Sequence, residues 1–219
     1  MEIMDNSRIF IDRRDAGIEL GKILDKKYKN RNALVLGIPR GGVVIAHELA
    51  KRLNGELSVI ITKKLPHPLQ EELAIGSAAE DGSLYLTSLG KRINRNSVQS
   101  ILVTQEKEIQ RRIRRFRRGR PLPDMKNRIV ILADDGIATG STIVPAIQLC
   151  KRRKAAMVLV AAPVAGKQSV PDLDKLADEI VIAEQPETFS AVGQVYEDFH
   201  HLTDEEVIEL LDDFDRNAK

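Results

Sequence analysis

Apolar positions along this chain recur in two periods, and the switches between them mark out helices and strands. In residues 12–28, Ala16, Leu20, Ile23 and Leu24 fall three or four apart, on one face of an opening helix. Residues 33–37 form a short continuous apolar run, as expected of a strand covered on both faces. Pro39-Arg40-Gly41-Gly42 then turns the chain into a helix over about 43–53, and residues 57–62 predict a second parallel strand. Residues 66–82 read as irregular, with a short strand near 74–78 that 83–87 would join as a hairpin. A long helix is predicted from about 97 to 118, striped by Val98, Ile101, Leu102, Ile109, Ile113 and Phe116. An apolar strand begins at Ile129, followed by a helix over 142–153, a strand at 157–162, a helix near 170–177 and a strand at 179–183. Thr203-Asp204-Glu205-Glu206 has the form of a capping box opening a last helix.

Strands alternating with helices imply an α/β fold: a mostly parallel twisted sheet with helices on both faces. No repeat or linker divides the sequence, so residues 1–219 read as one domain, with a core over about 12–185 and a small hood or tail over about 186–219.

Composition narrows the class. With 42% apolar and 30% charged residues, the chain has the balance of an ordinary globule. The uncharged run 155–166 is too short to span a bilayer, and Glu2, Asp5 and Asp12 interrupt any leader-like segment, so no membrane role is expected. Cys150 is the only cysteine, which excludes disulfide scaffolds and cysteine zinc sites and makes the cytoplasm the expected setting. Charge is unevenly spread: from residue 168 onward there are 15 Asp or Glu against three Lys or Arg, although the whole chain is +2. A basic body attracting phosphates, an acidic tail shielding it, and a simple spread over solvated helices are all compatible with that distribution.

The chemistry concentrates at Ile129 to Thr142, IVILADDGIATGST. A buried strand runs into two aspartates and then into a loop of glycines and small hydroxyl residues. Ligands of parallel sheets bind beyond the carboxyl ends of the strands. Ala138, Thr139, Gly140, Ser141 and Thr142 offer amides and hydroxyls at a helix start, where an anion is favoured. Asp134 and Asp135 suit sugar hydroxyls or a hydrated divalent metal. Together they predict a phosphorylated sugar as ligand. The spacing is not that of a Walker loop, since no lysine follows Gly140, and no G-x-G-x-x-G occurs. A second loop repeats the logic: Gly37-Ile38-Pro39-Arg40-Gly41-Gly42 joins flexible backbone to a guanidinium able to grip phosphate with two donors.

These residues carry a resemblance. Asp134, Asp135, Gly136, Ala138, Thr139, Gly140 and Thr142 match the 5-phosphoribosyl diphosphate (PRPP) motif of the type I phosphoribosyltransferases. The chain is similar across nearly its whole length to a subgroup of that family whose acceptor is unassigned, through residues 37–43, Glu72-Leu73-Ala74-Ile75-Gly76, the motif itself, Ala191-Val192-Gly193-Gln194 and Tyr196-Glu197-Asp198-Phe199. The resemblance implies a transferase, a pentosyltransferase, moving ribose 5-phosphate between PRPP and a nitrogenous base, with Mg²⁺ as cofactor and a homodimer as assembly. It implies catalytic roles for Asp134 and Asp135, which would hold the metal only through water. The 5-phosphate would be bound by Ala138, Thr139, Gly140, Ser141 and Thr142. The pyrophosphate would meet Arg40, Gly41, Gly42 and one of Lys63 and Lys64, which replace the Arg-Lys common there. Tyr196 and Phe199 are open to stacking on a base or to packing in the core or a dimer.

Residues 111–120 hold seven arginines, for which a solvated helix end ranks first, a cationic lid second and a nucleic-acid contact third. The alternative function is accordingly a non-catalytic PRPP- or nucleotide-sensing regulator that binds nucleic acid. His47, His67, His200 and His201 lack metal-ligand spacing, so no catalytic or metal role is expected of them.

Overall fold

The computed structural model describes residues 9–217. Glu2 and Asp5, cited above against a leader, lie outside the described residues. Five parallel strands form the central sheet: β1 (Leu34–Gly37), β2 (Glu56–Val59), β6 (Ile129–Ala133), β7 (Met157–Val164) and β8 (Glu179–Glu184), in the order β2-β1-β6-β7-β8. Successive side chains alternate between its faces. Val35, Ile131 and Leu159 pack with α1 (Arg13–Tyr28) and α2 (Gly41–Leu53), through Leu20, Leu24, Ile45 and Leu49. Leu34, Leu36, Val130, Leu132, Val158 and Val160 pack on the opposite side with Ile147 and Leu149 of α4 (Ile143–Arg152) and Leu173 of α5 (Val170–Asp174). Apolar residues on both faces explain why these strands read as unbroken hydrophobic runs.

Residues 57–82 differ from expectation. The parallel strand stops at Val59, and Thr62 already begins β3 (Thr62–His67) of a separate antiparallel sheet. The stretch expected to be irregular is largely β4 (Gln70–Ala79), paired with β3 and then with β5 (Leu84–Leu86). Register shifts around Leu65, Pro66 and His67 break the alternation, which hides the hairpin from a periodicity reading. Lys63 and Lys64 are therefore inside a hairpin strand, not at the end of a parallel one.

Val59, Ile61, Leu65 and Ile75 pack with Val98, Ile109 and Phe116 of α3 (Arg95–Arg117) and Val207 of α6 (Asp204–Asn217) in a third core. α6 opens with the expected capping box: Thr203 N donates to Glu206 Oε2 at 2.6 Å and Glu206 N to Thr203 Oγ1 at 3.2 Å. The helix predicted over 170–177 ends sooner, at Asp174.

Candidate functional site

β1 and β6 are neighbours, paired from Leu34↔Val130 to Gly37↔Ala133. From β1 the chain crosses to β2 on one side, and from β6 to β7 on the other. A crevice opens where connections diverge in this way. The 37–42 and 134–142 loops leave the sheet side by side into it, which is how segments far apart in the sequence come together.

The contact between the loops depends on missing side chains. A Cβ added to Gly41 would lie 1.8 Å from Asp135 Oδ2, and one added to Gly42 would lie 2.4 Å from the Ala133 carbonyl oxygen. Backbone thus packs directly against the carboxylate and the strand end, and only glycine permits it. The Pro39–Arg40 peptide bond is cis.

The two aspartates have different surroundings. Asp134 Oδ1 accepts the Asp135 amide at 3.0 Å. Burial, and then the neighbouring Asp135 charge, push the Asp134 carboxyl well above the usual carboxylate range. Asp135 Oδ2 accepts from Arg13 Nε at 2.7 Å, and its carbonyl oxygen accepts from Tyr196 Oη at 2.6 Å. Tyr196 is buried and stacks on Phe199, with ring centroids 5.1 Å apart. Both aromatics therefore form the wall behind Asp135; of the uses left open for them, the core is where they lie.

Two hollows flank the carboxylates. One, of about 170 Å³, is lined by Lys64, Asp134, Asp135, residues 136–140, Thr142, Ile143 and Val192. The other, of about 290 Å³, includes Arg13, Arg40, Gly41, Thr142 and His201 beside the same two aspartates. α4 begins after Thr142 without a side-chain cap; the Ile143 and Val144 amides instead donate to the Gly140 carbonyl oxygen at 3.0 and 3.2 Å, so the loop backbone itself closes the first turn beside the hollow. Thr139 Oγ1 donates to Ser141 Oγ at 3.1 Å, and Ser77 of β4 donates to the Ser141 carbonyl oxygen, tying the loop to the hairpin.

Most candidates named from sequence are thus gathered in one place, but Gly42, Ser141 and Lys63 line neither hollow: Gly42 packs on the strand end at Ala133, and Ser141 is buried. Lys64 lines the smaller hollow, whereas Lys63, next in the strand, points away from it. Burial, then Arg112, lowers the Lys63 pKa, with Arg111 and Arg40 adding to the effect and Glu108 opposing it. Arg13, Ser77, Val192 and His201 escaped the sequence reading as site residues. Arg13 belongs to the first turn of an amphipathic helix, and nothing in its local pattern signals a partner 122 residues away.

Among the described residues, no three His, Cys, Asp or Glu side chains converge as a metal cage. A pair of carboxylates beside an anion cradle instead fits Mg²⁺, which keeps waters and takes substrate phosphates as ligands.

Much of the basic run from Arg111 to Arg118 meets acids of the same chain, some of them in the tail. Arg118 Nη2 lies 2.8 and 2.9 Å from the two carboxylate oxygens of Asp212, Arg115 pairs with Glu205, and Arg117 is buried against Glu80. Arg111 bonds Glu108 at 2.8 Å and approaches Asp204 at 3.9 Å.

Known proteins resemble this chain in sequence and fold. Residues 12–200 match the family described as Phosphoribosyl transferase domain. A Mycobacterium tuberculosis H37Rv protein named "Putative phosphoribosyl transferase" is 39% identical over 208 residues, covering 94% of this chain and 47% of that protein. A protein of the same description from strain CDC 1551 / Oshkosh matches to the same extent, so the chain spans about half the length of these curated relatives. The crystal structure of TT1426 from Thermus thermophilus is 37% identical with a TM-score of 0.80, covering 94% of this chain and 99% of that one. At 15% identity and a TM-score of 0.50, an Aquifex aeolicus protein shares the fold over 78% of this chain and 73% of its own. With the motif, the crevice and a family match extending from α1 to the segment before α6, the chain belongs to the phosphoribosyltransferases.

Proposed function

We propose that the protein is a Mg²⁺-dependent phosphoribosyltransferase that moves ribose 5-phosphate between PRPP and a nitrogenous base. The observation carrying this reading is the packing of Gly41 backbone against the Asp135 carboxylate, which joins two anion-binding loops around one pair of acids. In this reading the 5-phosphate lies among Ala138, Thr139, Gly140, Ser141 and Thr142, in the loop that leads into α4. The pyrophosphate faces Arg40, Gly41, Gly42 and Lys64, with Lys63 supplying charge from behind. Asp134 and Asp135 accept the ribose hydroxyls and stabilise positive charge developing at the anomeric carbon. Mg²⁺, held through water by the same acids, would offset the charge of the departing pyrophosphate. The chain's main contribution is then positioning and exclusion of water.

The test is pyrophosphate release from PRPP and Mg²⁺ with a panel of purines, pyrimidines and pyridine carboxylates. Release dependent on one acceptor supports the reading; PRPP failing to bind at saturating concentration removes it. A nucleic-acid-binding regulator draws less support, because much of the arginine run faces acids of its own chain. We also propose a homodimer in the cytoplasm. Exposed Ile9, Ile11, Ile18 and Ile23 are apolar surface available for pairing, and light scattering measures the assembly. No helix among the described residues is long and apolar enough to cross a membrane.

A further inference from the structure

Arg13 is a large cation buried to 7% exposure at the start of α1, beside a site whose expected ligand is anionic. Burying a guanidinium is costly unless its donors are used and its charge is met. Here they are used in three directions. Nε donates to Asp135 Oδ2 at 2.7 Å, Nη1 donates to the His200 carbonyl oxygen at 3.0 Å, and the guanidinium carbon lies 3.9 Å from the Phe199 ring centroid. Around it, Phe10 N donates to Val195 O at 2.8 Å, while Glu197 N and Asp198 N each donate at 2.9 Å, to Phe10 O and Ile11 O. The 195–200 segment and the start of α1 are thereby laced together behind Asp135.

Lysine could meet the charge but not this geometry. A planar fork reaches a carboxylate and a carbonyl in two directions while stacking on an aromatic face. The same fork leaves Asp135 one oxygen, Oδ1, outside the Arg13 contact, and both hollows border that residue. A carboxylate held at one oxygen by a fixed donor keeps a single rotamer, so its other oxygen is presented at a fixed place.

We propose that Arg13 is a positioning residue that locks the Asp135 carboxylate so that it, and not Asp134, accepts the 2-hydroxyl of the bound phosphosugar. This rests on reading the crevice as a phosphoribose site. In this role Arg13 acts through Asp135, and indirectly through the wall made by Tyr196 and Phe199.

A purely structural role and a positioning role differ in what they do to sugar discrimination. Calorimetry with ribose 5-phosphate and 2-deoxyribose 5-phosphate measures it without an acceptor base. The wild-type protein should prefer ribose 5-phosphate by about tenfold or more, the effect of a hydrogen bond to a charged group. In Arg13→Met the preference should fall to within about twofold, because Asp135 loses its fixed donor, while affinity for the deoxy sugar is held by the phosphate loop. Arg13→Lys should be intermediate, at about threefold, since it restores charge without the fork. An Arg13→Met protein that melts cooperatively and keeps the wild-type preference overturns the proposal. If that variant does not fold, a wild-type preference in Arg13→Lys overturns it equally. Equal affinity of the wild type for the two sugars would overturn the proposal by removing the 2-hydroxyl contact, whereas failure of both sugars to bind would instead remove the phosphoribose reading of the crevice.

Discussion

Asp204 Oδ1 of α6 stands 3.7 Å from Arg40 Nη1, so the tail of the chain already places a carboxylate beside the guanidinium assigned to pyrophosphate. Arg40 keeps 42% of its side chain exposed, which leaves it reachable by a ligand as well as by Asp204. The pair is solvent-screened and weak, of the kind worth at most about 1 kcal/mol.

Competition between the two anions follows. Asp204→Asn should tighten pyrophosphate binding by about two- to fivefold, within the range of a surface ion pair. Calorimetry with inorganic pyrophosphate at low salt measures it, and the gain should shrink as ionic strength rises. Unchanged affinity at low salt would separate Arg40 from the pyrophosphate.

Asp134 should lower stability for the sake of function. Burial and the Asp135 charge raise its pKa, so the folded state prefers this carboxyl protonated. The sign for an acid raised on folding is that the penalty is absent below its ordinary value, about 4, and grows as pH rises above it. Asp134→Asn should therefore melt higher than wild type at pH 7, by roughly 2–4 °C for each kcal/mol relieved in a chain of this size. The two proteins should converge near pH 4. The same variant should lose transfer activity. A lower melting temperature at pH 7 would contradict the burial argument.

Glu80 and Arg117 join the hairpin to α3 with side chains only 7% and 6% exposed. Glu80 Oε1 also accepts the Ile61 amide at 2.9 Å. Removing one member of a buried pair leaves an uncompensated charge, at about 3–5 kcal/mol. Glu80→Ala should destabilise by that order in urea unfolding. A loss below about 1 kcal/mol would mean that water reaches Arg117.

The tail acids should keep the arginine run from polyanions. Glu205→Ala combined with Asp212→Ala frees Arg115 and Arg118, and should raise the salt concentration needed to elute the protein from heparin. Identical elution of variant and wild type would show that these pairs do not mask the charge.

Features carried by neighbouring residues were legible before folding was considered. The motif strand, the acids following it and the small-residue loop lie together between Ile129 and Thr142, and the Thr203–Glu206 cap is as local. Their geometry follows from local backbone preferences, so composition and spacing reveal it. The hairpin of β3 and β4 was not legible: Pro66 and the register shifts beside it disrupt the period that announces a strand.

Chain order alone was enough to establish an α/β fold, two phosphate-suited loops and a pair of acids between them, since each is encoded by a short pattern. Folding assigned partners across long separations: Arg13 to Asp135, Tyr196 to the Asp135 carbonyl, and Arg115 and Arg118 to acids of α6. It also separated Lys64 from Lys63, which have the same charge and adjacent positions. Such choices depend on which surfaces meet when the sheet is covered, and an arginine's sequence neighbours do not record what will stand opposite it.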